Sequence, residues 1–126
     1  MIQKNHDLAV LLVRVTVGAV FIAHGVQKLG ALGMVGGFFT SLGLPAVLAT
    51  VVAVVEVAAG VAVLLGIATR IAALGIAVIM VGAIFFVKFS LGFLGGYEFE
   101  LVLLLIALSL VASGPGRYSV MPNSTL

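Results

Sequence analysis

Residues 45–67 read PAVLATVVAVVEVAAGVAVLLGI, and the one ionisable side chain among them, Glu56, stands at the midpoint. About 20 mostly apolar residues in a helix rising ~1.5 Å per residue cross a ~30 Å hydrocarbon layer. The stretch therefore reads as a spanning helix, with Pro45 in its first turn, where a missing N–H costs nothing. The rest of the chain agrees. Of 126 residues 63% are apolar and 8% charged, and the mean hydropathy is +1.42. An ordinary soluble domain is nearer half apolar and a quarter charged. A chain this short leaves roughly a third of its surface exposed, so it could not hide so much apolar area from water. The composition excludes a nucleic-acid binder, a secreted disulfide scaffold and a soluble enzyme.

Working outward, the same reading gives spans at about 8–29, 69–90 and, shorter, 98–113. Gly30, Gly66, Gly92 and Gly114 stand at or near their far ends, as helix stops commonly do. Short connections force antiparallel neighbours. The expected fold is all-α: one membrane domain, 1–126, forming an integral four-helix bundle. Residues 31–44, ALGMVGGFFTSLGL, are too short and glycine-rich to span, and predict an interfacial or re-entrant segment between helices 1 and 2. The apolar run from Leu8 is interrupted by Arg14 and then continues too long for a signal peptide. Four spans put both termini on one side. That side carries Lys4, Arg70 and Arg117 against Lys28 and Lys88 on the other, a bias that predicts cytoplasmic termini. Val17-Gly18-Ala19-Val20-Phe21 also echoes Val81-Gly82-Ala83-Ile84-Phe85, which raises an internal duplication.

Polar groups inside spans carry the information. A charge at mid-bilayer costs about 2.5–3.5 kcal/mol even on lenient insertion scales. Arg14, Gly18, Phe21, Gly25 and Lys28 share one helical stripe, and Ala49, Ala53, Glu56 and Gly60 form another of mostly small residues. Two such stripes can approach closely, which predicts a buried charge pair between Arg14 and Glu56. That pair would fix register, or one member would bind a ligand or carry a proton. A second group lies towards the opposite side: His24 and Lys28, Lys88, Tyr97, Glu98 and Glu100. Snorkelling lysines, an interfacial tyrosine and acids near a helix start account for most of it. His24 and Glu100 lie deeper and are the stronger functional candidates.

Several chemistries have no residues to support them. With no cysteine there is no disulfide or thiolate site. His6 lies in the tail and His24 in a span, so one chain cannot build a bis-histidine haem. No His/Asp/Glu set has metal-ligand spacing, and neither a phosphate-binding loop nor a dinucleotide fingerprint is present. No metal, haem or nucleotide is expected, and no catalytic residue stands out.

Arg14 with His24-Gly25-x-x-Lys28, Gly43-Leu44-Pro45 with Glu56-x-x-x-Gly60, and Gly66-x-x-x-Arg70 together resemble the DoxX family of small membrane proteins. Gly95-Gly96-Tyr97-Glu98 and Gly114-Pro115-Gly116-Arg117-Tyr118-Ser119 complete the resemblance, which covers nearly the whole chain. It implies a four-helix bacterial inner (plasma) membrane protein associated with quinone-linked oxidoreductases, notably thiosulfate:quinone oxidoreductase, and with complexes handling oxidative stress. The wider fold is similar to that of vitamin K epoxide reductase. That enzyme depends on cysteines, so its thiol chemistry does not carry over. The implied role is a non-catalytic subunit that binds a quinone or lipid-like ligand, while a partner protein supplies redox groups. His24, Lys28 and Glu100 would hydrogen-bond the ligand, with Phe21 and Phe85 as apolar walls, although packing or lipid contact explains phenylalanines more simply. Membrane lipid is an expected partner, nucleic acid is not, and a homo-oligomer is compatible with the reading. A transport protein for a small solute or protons, and an assembly scaffold without a ligand, are the competing classes.

Overall fold

The computed structural model describes residues 2–126, and the described residues contain helices and turns but no strand. Helix α1 spans Ile2–Leu29, α2 Leu32–Ser41, α3 Val47–Leu65, α4 Thr69–Ala83 and α5 Glu98–Ser113. A π turn at Ile84–Lys88 and a 3-10 turn at Phe89–Leu91 extend α4. A kinked turn at Phe93–Tyr97, non-helical at Leu94, Gly95 and Gly96, leads into α5. Four stretches are long and apolar enough to cross a membrane: Ile2–Leu29, Val47–Leu65, Thr69–Leu91 and Phe93–Ser113. This is an all-helical fold of the membrane type.

Helix α1 starts well before the expected position 8. The polar residues Gln3 to Asp7 continue the helix because Asp7 is buried against the C-terminal tail, its Oδ1 accepting from Gln3 Nε2 at 3.3 Å and from the Arg117 N–H at 3.4 Å. Helix α2, with 10 residues, is roughly 15 Å long at ~1.5 Å per residue and cannot span. It packs on α3 and α1, with Gly36 buried beside Ala46.

The helices associate as two antiparallel pairs, α1 with α3 and α4 with α5, joined through α3 and α4. Small residues set the first seam. A Cβ on Gly18 would stand 2.8 Å from the Gly60 carbonyl oxygen, and one on Gly60 2.9 Å from that of Gly18. Nearer the far end, a Cβ on Gly25 would meet the Ala53 carbonyl oxygen at 2.8 Å. Lipid offers no hydrophobic drive for helices to associate, so close backbone packing of this kind has to supply it. The core joins Val17, Phe21 and Val63 to Ala73, Ile76, Ala77, Leu103, Ala107 and Leu110. Outward positions such as Val54, Leu74, Val78 and Leu105 are exposed and apolar, as a lipid-facing surface requires. The echoed segments sit in different surroundings: Phe21 is 2% exposed in the core and Phe85 67% exposed on the outside.

The tail after Ser113 folds back over the bundle end that holds the start of α1. Val120 N–H donates to the Leu65 carbonyl at 2.9 Å, Met121 N–H to Gly66 at 3.2 Å, and Ile71 N–H to Leu126 at 2.7 Å. Both chain ends thus lie at one end of the bundle, the terminal end.

Replacing Gly60 by valine should lower stability by about 1–3 kcal/mol or more, because the added methyls meet backbone that cannot yield. Gly82→Ala, at a position with nothing within 4 Å, should leave stability unchanged or raise it. Thermal unfolding in mild detergent checks this, and equal midpoints for the two variants would contradict the seam.

Candidate functional site

Two groups of buried polar side chains stand at opposite ends of the bundle. At the terminal end, Arg14 is 1% exposed and every one of its side-chain hydrogen bonds goes to a backbone carbonyl. Its Nε donates to Val63 at 3.0 Å and Nη2 to Leu64 at 3.0 Å. Its Nη1 donates to Pro115 at 2.9 Å and to Tyr118 at 2.8 Å. Val63 and Leu64 belong to the last turn of α3, whose carbonyls have no partner within the helix. Gly66, at φ +75°, turns the chain directly beneath the guanidinium. A Cβ there would lie 2.2 Å from that of Ser119 and 2.9 Å from Arg14 Nη2.

This arrangement corrects the expected Arg14–Glu56 pair. The two small-residue stripes do meet, but their antiparallel register sets Arg14 level with Leu64. Glu56 lies eight residues further along α3, roughly 12 Å away at ~1.5 Å per residue. Glu56, 1% exposed, instead pairs through Oε1 with Lys28 Nζ, whose side chain is 30% exposed. This is the one ion pair among the described residues.

The Lys28–Glu56 pair belongs to the far-end group. Helix α5 runs antiparallel to α1: Asp7 adjoins Arg117, Gly116 lies beside Val10 and His24 beside Phe99. Glu100 therefore falls at about the depth of His24, and so does Glu56, because Gly25 faces Ala53 and Val57. Glu100 is 9% exposed, and its buried Oε1 has no hydrogen-bond partner. His24 is exposed on the outer surface, stacked on Phe99 with ring centroids 6.2 Å apart and planes at 29°.

Of the expected ligand-binding residues, His24, Lys28 and Glu100 thus occupy one end of the bundle at similar depth. Phe21 is packed into the core and cannot wall a site there. Phe85 stacks on Phe89, and Phe89 on Tyr97, in a separate aromatic ladder on the outside. Phe99 was not among the expected residues. Its signal was its place beside Glu100 at the start of α5, legible once α5 is set antiparallel to α1. Glu98 accepts from the Gly95 N–H at 2.9 Å, so it stabilises the turn before α5. The described clefts lie elsewhere: a polar one of about 400 Å³ at the terminal end, and an apolar groove between α3 and α4.

Burial differs within the ion pair, and so should the cost of breaking it. Lys28→Met strands the Glu56 carboxylate in the interior and should cost about 3–5 kcal/mol. Glu56→Gln should cost less, since Lys28 can extend towards the interface. The double variant should be milder than Lys28→Met alone. Unfolding midpoints of the three proteins check this, and a double variant as damaged as Lys28→Met would contradict the pairing.

The DoxX family model matches residues 9–89 of the chain. The chain is 38% identical to "Putative oxidoreductase CatD" of Bacillus subtilis (strain 168), over 89% of its own length and 84% of that protein. It is also 38% identical to "Uncharacterized membrane protein Rv3486" of Mycobacterium tuberculosis, over 89% of its length and 78% of that protein. No solved structure matches significantly. With a family match over most of its length and relatives aligned along nearly all of it, the chain belongs to the DoxX family.

Proposed function

We propose that this chain is a membrane subunit supporting quinone-linked oxidoreduction, holding a quinone or lipid-like molecule at the far end while a partner protein supplies the redox groups. The observation that carries this reading is Glu100. A buried carboxyl oxygen without a partner costs free energy, and this one lies at about the depth of the Lys28–Glu56 pair and of His24. Such a group is kept where it meets something other than the chain itself. The oxidoreductase name of the Bacillus relative supports the same reading.

The residues fit a quinone. Its ring is flat and apolar with carbonyl oxygens at its edges, and it reaches a protein from within the bilayer. His24 and Phe99 offer a stacked, lipid-exposed surface at the point of entry. Lys28 has N–H donors beyond the one engaged by Glu56, and Glu100 in its protonated form can donate to a carbonyl. A quinone when bound accepts two electrons and two protons. An imidazole can both donate and accept protons, so in this reading His24 and Glu100 would exchange the protons while the partner would deliver the electrons. The orientation in this reading is that of a bacterial plasma-membrane protein with cytoplasmic termini, following the basic-residue bias. Proton transport is a second reading, favoured by two carboxylates, Glu56 and Glu100, buried at one depth on separate helices.

Purified protein in mild detergent should bind a short-chain ubiquinone, and His24→Leu and Glu100→Leu should each weaken binding at least about tenfold. Gently extracted protein should also carry a quinone detectable by native mass spectrometry. A well-folded His24→Leu protein with unchanged binding removes His24 from the site. Proton flux in liposomes without quinone binding selects the transport reading. Stable co-purifying proteins with neither activity select a scaffold.

A further inference from the structure

The polar cleft at the terminal end lies far from Glu100 and plays no part in the function proposed above. It encloses about 400 Å³ between the first turns of α1 and α4, the end of α5 and the tail. In a chain with ten charged residues, three line it: Asp7, Arg70 and Arg117. His6, Gln3 and Asn123 add further polar groups.

The two arginines are unspent. Neither forms an ion pair with Asp7, and neither guanidinium has a hydrogen-bond acceptor among the described residues. Arg70 Nε is buried with no partner. Its guanidinium is held against Gly114, where a Cβ would stand 2.9 Å from Nε and 3.0 Å from Nη2. Arg70 as a whole is half-buried, and its buried Nε without an acceptor carries a desolvation cost that nothing in the chain recovers. An oxyanion removes that cost, since the planar fork of arginine matches phosphate oxygens. Arg70 also sits in the first turn of α4, where the helix dipole favours an anion. Asp7, 6% exposed, places an acceptor in the same cleft. Its Oδ1 takes two long hydrogen bonds, and its other oxygen accepts nothing from the described residues. A bare anion would be repelled there, whereas hydroxyl groups beside the anion would be bound.

We infer that this cleft binds a phosphate group carrying neighbouring hydroxyls, with Arg70 and Arg117 on the phosphate oxygens and Asp7 on the hydroxyls. The volume is several times that of a phosphate ion and within the range of small-molecule sites. Two sources have this chemistry: the headgroup of phosphatidylglycerol, available at the membrane surface, and soluble glycerol phosphate.

Delipidated protein in neutral detergent tests the inference by native mass spectrometry and thermal unfolding, with phosphatidylglycerol, phosphatidylcholine and glycerol phosphate as separate probes. Phosphatidylglycerol should bind and raise the unfolding temperature, and phosphatidylcholine, which lacks headgroup hydroxyls, should bind at least about tenfold more weakly. Arg70→Gln and Arg117→Gln should each lose the phosphatidylglycerol adduct. Lys88→Gln, which removes a positive charge at the far end, should keep it. Arg117 is exposed, so Arg117→Gln tests the site even if Arg70→Gln unfolds. Binding of glycerol phosphate that the same substitutions abolish supports the site and assigns it to a soluble ligand. Equal binding of phosphatidylcholine, or a folded Arg117→Gln protein that binds phosphatidylglycerol as tightly as the parent, overturns the inference.

Discussion

The Arg14 guanidinium ties together the three parts of the chain that meet at the terminal end. It lies on α1, takes two carbonyls from the last turn of α3 and two from the tail, and has no carboxylate partner. Four carbonyl dipoles replace water around a charge whose burial would otherwise be prohibitive. The negative end of the α3 dipole adds to the attraction. This one contact fixes where α3 stops, how the chain turns at Gly66, and where the tail lies. A lysine has the charge but not the planar fork that reaches four acceptors.

Register follows from that contact together with the glycine seam. With Arg14 held at Leu64 and Gly18 against Gly60, α1 and α3 cannot slide, and Lys28 arrives opposite Glu56 at the other end. At the terminal end the junction of α1, α3 and the tail is thus held by hydrogen bonds to backbone carbonyls. The far end has an ion pair, an unpartnered carboxyl and an interrupted α4–α5 connection of π and 3-10 turns. Departures from α-helical geometry concentrate near functional sites in many proteins. Here they lie in the segment that leads into Glu98 and Glu100.

The spans were legible because a 126-residue chain with so few charges has little other choice, and residues 31–44 were legible as non-spanning from length and glycine content. The small-residue stripes on α1 and α3 were legible from helical spacing alone. The partner of Glu56 was not. Stripe spacing says which faces meet but leaves open how far two antiparallel helices slide, and a wrong offset exchanges Lys28 for Arg14. The true partners of Arg14 are backbone carbonyls, which carry no residue-type signal. The nearest hint was the run from Gly114 to Gly116, whose turns bring Pro115 and Tyr118 back towards α1. Phe21 and Phe85 look alike in sequence, and their opposite environments arise from helix rotation, which the local pattern does not encode.

Hydrogen exchange on an Arg14→Lys protein in mild detergent addresses the central role of Arg14 most directly. The variant keeps the charge and much of the volume and removes the fork. The amides of Val120 and Met121, bonded to Leu65 and Gly66, should lose protection while amides at the centres of α3 and α5 keep theirs. A folded Arg14→Lys protein whose Val120 and Met121 amides exchange as slowly as in the parent would contradict that role.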